Sequence, residues 1–222
     1  MKALRIQSQQ DHLVAELGKL ARSEQDRILM AEAIAALDDR YGLSAKMAGE
    51  PGVEAILQQL AGRITSAFEP LSTVQGKRIL DLACGSNTSK APAFVYINTP
   101  FGESRIRIAS TENYTAQFEP WFCRILLALG AQPVGVDLGD LEGEAFEHYR
   151  ADLGQSGALD FLPSQSFDGI QDSRLFGSPE FTAQFPNAAD RLKVAREIRR
   201  QERRLLKPNG ILIHSDAEDL VR

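Results

Sequence analysis

The sequence predicts an α/β protein with a doubly wound, mainly parallel sheet, preceded by a helical region and interrupted by an inserted β-hairpin. Two short apolar segments, 77–82 and 133–138, carry a carboxylate near their ends, and such apolar runs are typical of parallel strands covered on both faces. Residues 1–75 are rich in Ala, Leu, Gln and Glu and have apolar positions at helical spacing. With 222 residues and 43% hydrophobic content, the chain can bury one sizeable core.

The first 75 residues are predicted to form a helical cap region, distinct from an α/β domain over residues 76–222 with a hairpin insertion at 91–114. We expect the apolar faces of the cap helices mainly to pack into the core. A sharper hypothesis is that these helices also fold over a ligand held by the second domain and shape its substrate pocket.

Three helices are predicted in the cap region, each with one apolar face. Ser23 and Asp26 form an N-terminal capping pattern for the second helix, and Gly42 stops it. Pro70 ends the third, which runs over 52–68. The apolar faces are Leu13, Leu17 and Leu20; Ile28, Ala31, Ile34 and Ala35; and Val53, Ile56, Leu57, Leu60 and Ile64.

The strand over 77–82 runs into a loop of small residues, Ala83-Cys84-Gly85-Ser86-Asn87. Its backbone can approach a ligand closely, and Gly85 and Asn87 adopt positive φ at low cost. Asp81 is the only charge inside the apolar run, so it needs a specific reason to be there. Together these features predict a ligand site where the strand ends.

The hairpin is predicted from 93–97 and 105–109, which flank a turn at 99–104. Arg105 and Arg107 alternate with isoleucines, so the second strand should have one solvated and one buried face. A helix over 115–129 is expected next.

The strand over 133–138 ends in Asp137 and Leu138. A carboxylate at the end of the second strand of a doubly wound sheet can accept hydrogen bonds from both ribose hydroxyls of a nucleoside. Asp137 therefore points to a nucleoside ligand, although an aspartate that begins a surface loop is the simpler alternative.

Four features occur in the order seen in class I S-adenosylmethionine-dependent methyltransferases, which the chain resembles over about residues 75–214. They are the acid-ended strand with its loop at 79–87, the second acid at Asp137, the pair Asp152-Leu153 before the strand at Phe167-Asp168, and the strand entry Lys207-Pro208-Asn209-Gly210. The loop keeps only the middle glycine of that family's G-x-G-x-G-like pattern, and a hairpin stands where the family has a helix. A nicotinamide-binding Rossmann domain is the nearest rival, but it requires the full G-x-G-x-x-G series.

The resemblance implies S-adenosylmethionine as cofactor, with S-adenosylhomocysteine as product. It places Asp81 and the Gly85 loop at the amino-acid end, Asp137 at the ribose and Asp152 at the adenine. Asp172 is the candidate for a group that orients the acceptor or takes its proton, with a polar loop as the alternative. The implied cofactor-binding residues are Asp81, Ala83, Gly85, Ser86, Asn87, Asp137, Leu138, Asp152, Leu153 and Gln171.

The resemblance also implies a methyltransferase-like sheet that lacks its last two strands, because the sequence stops at Arg222. We expect the hairpin, or a second copy of the chain in a homodimer, to cover the surface that those strands would cover.

The net charge of −5 and the pI near 5.3 argue against nucleic acid as the main partner. The arginine-rich helix predicted over 188–206 could serve as a docking face for RNA or protein. Its interleaved Glu197 and Glu202 favour a solvated, internally paired surface instead.

The remaining features favour a soluble cytoplasmic protein with no metal and no membrane segment. Only two cysteines occur, no metal-ligand spacing is visible, and the start of the chain lacks a signal-peptide core. Scattered histidines disfavour a hydrolase. The predicted function is methyl transfer to an unidentified small-molecule acceptor; the alternatives are an RNA or protein methyltransferase and a cofactor-binding protein without catalysis.

Overall fold

The computed structural model describes residues 11–50, 52–86, 94–99, 102–107, 116–172, 175–176 and 178–221. Short 3₁₀ turns at Leu71–Val74 and Ala116–Phe118 precede β1 and α5. The elements in chain order are α1 (11–18), α2 (Glu24–Tyr41), α3 (Leu43–Gly49), α4 (Val53–Ala67), β1 (Arg78–Leu82), β2 (Phe94–Thr99), β3 (Gly102–Arg107), α5 (Trp121–Ala128), β4 (Gln132–Asp137), β5 (Glu147–Arg150), β6 (Phe167–Asp172), α6 (Pro179–Gln184), α7 (Ala188–Leu205), β7 (Leu206–Ser215) and α8 (Asp216–Val221).

Five strands form one parallel sheet in the order β5-β4-β1-β6-β7, with β5 and β7 at its edges. The chain places β4 and β5 on one side of β1 and then β6 and β7 on the other. This arrangement confirms the predicted doubly wound α/β fold.

Helices cover both faces of this sheet, and the alternation along β1 shows how the faces differ. Ile79 joins an apolar cluster formed mainly by α1 to α5. Leu80 and Leu82 join a second cluster with α6 and α7, because successive side chains of a strand point to opposite faces. Asp81 therefore shares the α4 and α5 face with Ile79. The cap helices and α5 contribute to one cluster, and the domain boundary near residue 75 stays a prediction.

The helix ends follow the predicted capping chemistry. Ser23 accepts from the backbone N–H of Asp26 at 3.0 Å at the start of α2, and Gly42 ends α2 with φ of 62°. Asp26 itself accepts from the Leu71 N–H at 2.8 Å, which joins α2 to the segment before β1.

Several predicted boundaries are wrong in detail. Leu20 is 36% exposed because α1 ends at residue 18, and Ile28 is 43% exposed on α2. The helix predicted over 115–129 begins only at Trp121, after Pro120. Helix α3 was not predicted from the sequence.

The predicted hairpin is confirmed as a separate antiparallel pair of β2 and β3. Pairing runs from Phe94↔Arg107 to Thr99↔Gly102, so the connection is shorter than the predicted turn at 99–104. Ala93, Ile108 and Ala109, at the predicted strand ends, lie outside the described residues.

The predicted Lys-Pro-Asn-Gly turn lies within strand β7, where it interrupts the regular pairing with β6. Leu206 pairs with Phe167, and the next pair is Ile211 with Gly169, so the turn residues bulge out of the ladder. Across the part of the chain that the structure describes, no helix has both the length and the apolar character to cross a membrane.

Candidate functional site

The carboxyl ends of β1, β4 and β6 bring several sequence-predicted site residues to one edge of the sheet. Asp81 pairs in register with Gly135 of β4 and Gln171 of β6, and Leu82 pairs with Asp172. The chain reverses its direction of winding between β1 and β6, and ligands of open α/β sheets bind in the crevice at such a point.

Asp81 is almost fully buried at this point. Gln171 Nε2 lies 3.4 Å from its Oδ1, and the Cys123 thiol lies 3.8 Å from its Oδ2. Burial raises the pKa of Asp81 to about 8; the negative charge of Asp137 adds to the rise, while Gln171, Arg63 and Cys123 act against it. Both direct contacts are long, so the carboxylate can accept a stronger donor.

The loop after β1 requires glycine at position 85. Gly85 has φ of 92°, and a Cβ there would overlap the Phe118 carbonyl, with the carbonyl carbon at 2.9 Å. Ala83 also has a positive φ, 58°, which the sequence did not predict. Ser86 is buried, and Asn87 lies outside the described residues.

Asp137 joins the loop after β1 to the loop after β4. Its Oδ2 accepts from the Gly85 N–H at 2.9 Å, and its Oδ1 accepts from the Gly139 N–H at 2.8 Å. Each oxygen keeps a further lone pair, so the carboxylate can still accept hydroxyl donors. Leu138, the next residue, is 50% exposed, which leaves an apolar surface beside this carboxylate.

Asp152 lies in the loop after β5, next to the end of β4, because Ala151 donates its N–H to the Asp137 carbonyl at 2.9 Å. Burial tends to raise the pKa of Asp152, but hydrogen bonds from Gln155, Gly154 and Gln184 lower it overall. Leu153 is buried in the apolar cluster on the α7 face.

Asp172 is buried where β6 ends and has well-defined partners. It accepts hydrogen bonds from the backbone N–H groups of Asp216 and Ala217, the latter at 3.1 Å, at the start of α8. Burial and the charge of Glu202 raise its pKa to about 7, while the two hydrogen bonds lower it. The contacts are those of a helix-capping residue; the predicted role towards an acceptor stays a prediction.

Arg63 on α4 is the charged residue near the site that sequence reasoning missed. It is the only basic residue of α4, and its position between Leu60 and Ile64 on the inner side of the helix was the available signal. Its Nη1 atom is buried without a hydrogen-bond partner, and it interacts electrostatically with Asp216, Asp81 and Asp172.

Two further features bear on the chemistry. Cys84 and Cys123 are buried free thiols, and burial raises the pKa of Cys84 to about 11. Within the described residues, no group of three or more His, Cys, Asp or Glu side chains is arranged to hold a metal ion.

The arginine-rich face of α7 is largely paired within the chain. Arg200 bonds to Glu197, and Arg199 bonds to Glu202 and Glu218. Arg204 donates to the carbonyls of two residues in the loop before β6, each at 2.8 Å.

Fold and site together define a class: a doubly wound α/β protein with acidic side chains at the carboxyl ends of its strands. No protein-family model matches the chain, and no curated protein matches it.

Similar solved structures include two methyltransferases. The CurJ carbon methyltransferase has 13% identity and a TM-score of 0.37, with 95% of this chain and 49% of that chain covered. The trans-methyltransferase CalH in complex with SAH has 13% identity and a TM-score of 0.36, with 89% and 51% covered. This chain thus spans about half the length of those solved structures.

Proposed function

We propose that the protein binds S-adenosylmethionine at the carboxyl edge of its sheet and transfers the methyl group to a small-molecule acceptor. The observation that carries the proposal is the row of three acids across neighbouring strands. Asp81 is the next-to-last residue of β1, Asp137 ends β4, and Asp152 comes just after β5; these three strands lie side by side. A nucleoside that extends into an amino-acid group has polar groups to meet each of them.

The residues present fit such a cofactor. Asp137 retains acceptor capacity for ribose hydroxyls, and the exposed Leu138 offers an apolar surface beside it. Asp81 is a buried acceptor with only long contacts, suited to an ammonium group. Ala83, Ser86 and Asn87 complete the proposed loop, while Asp152, Leu153 and Gln171 are proposed to line the adenine and methionine sides.

When bound, S-adenosylmethionine supplies a methyl group on a sulfonium, and S-adenosylhomocysteine is the product. The contribution of this chain is to bind, to align and to keep water away, which accounts for most of the acceleration in such in-line transfers. Asp172 is our candidate for orienting the acceptor. Because both of its oxygens are engaged by α8, the proposal does not require it as a base.

A cofactor-binding protein without catalysis is the second candidate. The capping contacts of Asp172 favour it, because they occupy both oxygens of the group that is our candidate for orienting the acceptor. Cofactor binding without turnover of any acceptor would support this candidate. An RNA or protein methyltransferase is less well supported, since much of the α7 arginine face is paired internally.

Isothermal titration with S-adenosylmethionine and S-adenosylhomocysteine tests the proposal. Asp137→Ala should weaken both by about 1 to 3 kcal/mol through lost hydrogen bonds. Asp39→Ala, an exposed acid on α2, is the control and should bind as the wild type does. Absence of binding to the wild type, or equal affinity in Asp137→Ala, would contradict the proposal.

The partner predictions become part of the proposal. We propose a homodimer in which a second copy covers the open edge of β7, and analytical ultracentrifugation should then show twice the chain mass. Nucleic acid and membranes are not proposed as partners.

A further inference from the structure

Arg63 on α4 is half-buried, has one buried guanidinium nitrogen without a hydrogen-bond partner, and lies within electrostatic range of the proposed cofactor site. Arg63 lies on the inner side of α4, and its Nη1 atom is buried with no hydrogen-bond partner. Burying a cation without a counterion costs free energy, so such a group is retained where something pairs with it.

The carboxylates around Arg63 do not pair with it directly. Asp216, Asp81 and Asp172 lie within electrostatic range, but none of these described carboxylates forms an ion pair with the guanidinium. Asp172 accepts from the α8 backbone, and Asp216 bonds to His214 at 2.8 Å. Two of the three acids therefore already have strong partners elsewhere.

Asp81 is the exception, because its direct partners are a side-chain amide at 3.4 Å and a thiol at 3.8 Å. It is buried about as deeply as Asp172, which has two backbone donors. The site thus holds a buried carboxyl group without a cation in contact, near a guanidinium nitrogen that is buried without an anion in contact. An α-amino acid group in its zwitterionic form carries both missing partners.

We propose that Arg63 and Asp81 form the two poles of a site for an α-amino acid group, with the carboxylate held by Arg63 and the ammonium held by Asp81. The inference rests on the proposed function, since the amino acid group is that of S-adenosylmethionine or S-adenosylhomocysteine. Arginine suits this role because its planar fork matches a carboxylate with two parallel hydrogen bonds.

Arg63 can be approached without unfolding α4. The side chain also borders an open cleft of about 600 Å³ between α4 and β7, lined by Gln59, Ser66, Ile211 and Ile213 among others. The half-buried Arg63 side chain is therefore partly accessible from this cleft.

The test compares two ligands that differ in the amino acid group alone. 5′-Methylthioadenosine shares the nucleoside and sulfur of S-adenosylhomocysteine but lacks its ammonium and carboxylate. Arg63→Met should weaken S-adenosylhomocysteine by about 10- to 100-fold, the loss of a charge-assisted bidentate contact, and leave 5′-methylthioadenosine within about twofold. Arg63→Lys should recover part of the loss.

Arg203→Met, which removes an exposed arginine of α7, is the matched control and should change neither affinity. Unchanged S-adenosylhomocysteine affinity in Arg63→Met, or an equal loss for both ligands, would overturn the assignment of Arg63 while leaving cofactor binding intact. A wild type that binds neither ligand would instead overturn the proposed function and this inference together. Thermal unfolding of each variant checks that the fold is retained.

Discussion

The backbone N–H of Ser86 donates to the carbonyl oxygen of Phe118 at 3.0 Å, although residues 87–117 lie between them in the chain. The contact therefore joins the chain before the insertion to the chain after it beside Gly85, and α5 begins at Trp121, shortly after Phe118. The insertion lengthens the connection between β1 and α5, but the loop after β1 still lies next to the segment that leads into α5. The loop after β1 thus keeps a helix next to it, as a doubly wound fold requires.

Gly85→Ala should disrupt this meeting point. The new Cβ would overlap the Phe118 carbonyl, and alanine is strained at φ of 92°, so we expect a loss of about 3 kcal/mol or more in the free energy of unfolding. Gly143→Ala is the control, because φ is 89° there but a Cβ at that position would have no heavy atom within 4 Å. Urea unfolding of both variants measures the difference. Equal losses would show that the positive φ, and not the close approach, makes glycine necessary.

Asp81 should make stability depend on pH. Burial raises its pKa to about 8 in the folded protein, against an ordinary value of about 3.9 in the unfolded chain. Between these values the folded protein binds more protons, so its free energy of unfolding should fall as pH rises from about 4 to about 8.

Asp81→Asn should make this slope shallower, as measured by urea unfolding at pH 5, 6, 7 and 8; the part that remains comes from groups such as Asp172, whose pKa burial also raises. The groups that face Asp81 are Asp137, Arg63, Gln171 and the two thiols Cys84 and Cys123, and all of them are kept in this variant. Asp39→Asn on the exposed side of α2 should retain the wild-type slope. A slope that is the same in Asp81→Asn and wild type would rule out Asp81 as its source.

Asp172→Asn should weaken the start of α8. Asparagine keeps one acceptor oxygen, so one of the hydrogen bonds from Asp216 and Ala217 is lost, and we expect a stability loss of about 1 kcal/mol. Ser23→Ala, which removes the side-chain cap of α2, gives the stability loss expected from one lost helix cap for comparison. S-adenosylhomocysteine affinity should stay unchanged. Weaker cofactor binding with unchanged stability would instead place Asp172 at the ligand.

Arg124→Met should be strongly destabilising. Arg124 is 3% exposed, pairs with Glu119 and, at 2.6 Å, with Glu144, and stacks 4.1 Å from the Tyr41 ring centroid. Removal leaves two buried carboxylates without this counterion, and we expect a loss of about 3 to 5 kcal/mol.

The matched control for Arg124→Met is Arg200→Met on α7. Arg200 also forms a two-point contact with one glutamate, Glu197, but it is exposed, so its loss should cost far less stability than the loss of Arg124. Chemical denaturation measures both. Similar small losses of stability in both variants would mean that the contacts of Arg124 with Glu119, Glu144 and Tyr41 contribute little to the packing of α2 against α5.

Sequence reasoning succeeded where the signal was local and periodic. The strand ending at Asp81, the hairpin, the stop at Gly42 and the helix over 188–206 all follow from apolar spacing and from capping or turn residues. Errors occur where local signals compete: Pro120 delays α5, and Leu20 lies beyond the end of α1.

By itself, the sequence determined the α/β class and the acids Asp81 and Asp137 at successive strand ends. The spacing of apolar residues and the identity of the residues that end each strand can be read directly from the sequence. Only the tertiary structure decided that Asp172 caps α8, that the Phe118 carbonyl excludes any side chain at Gly85, and that Arg63 lies near Asp81. These contacts join residues far apart in sequence, so helix and sheet packing, and not local preference, sets them.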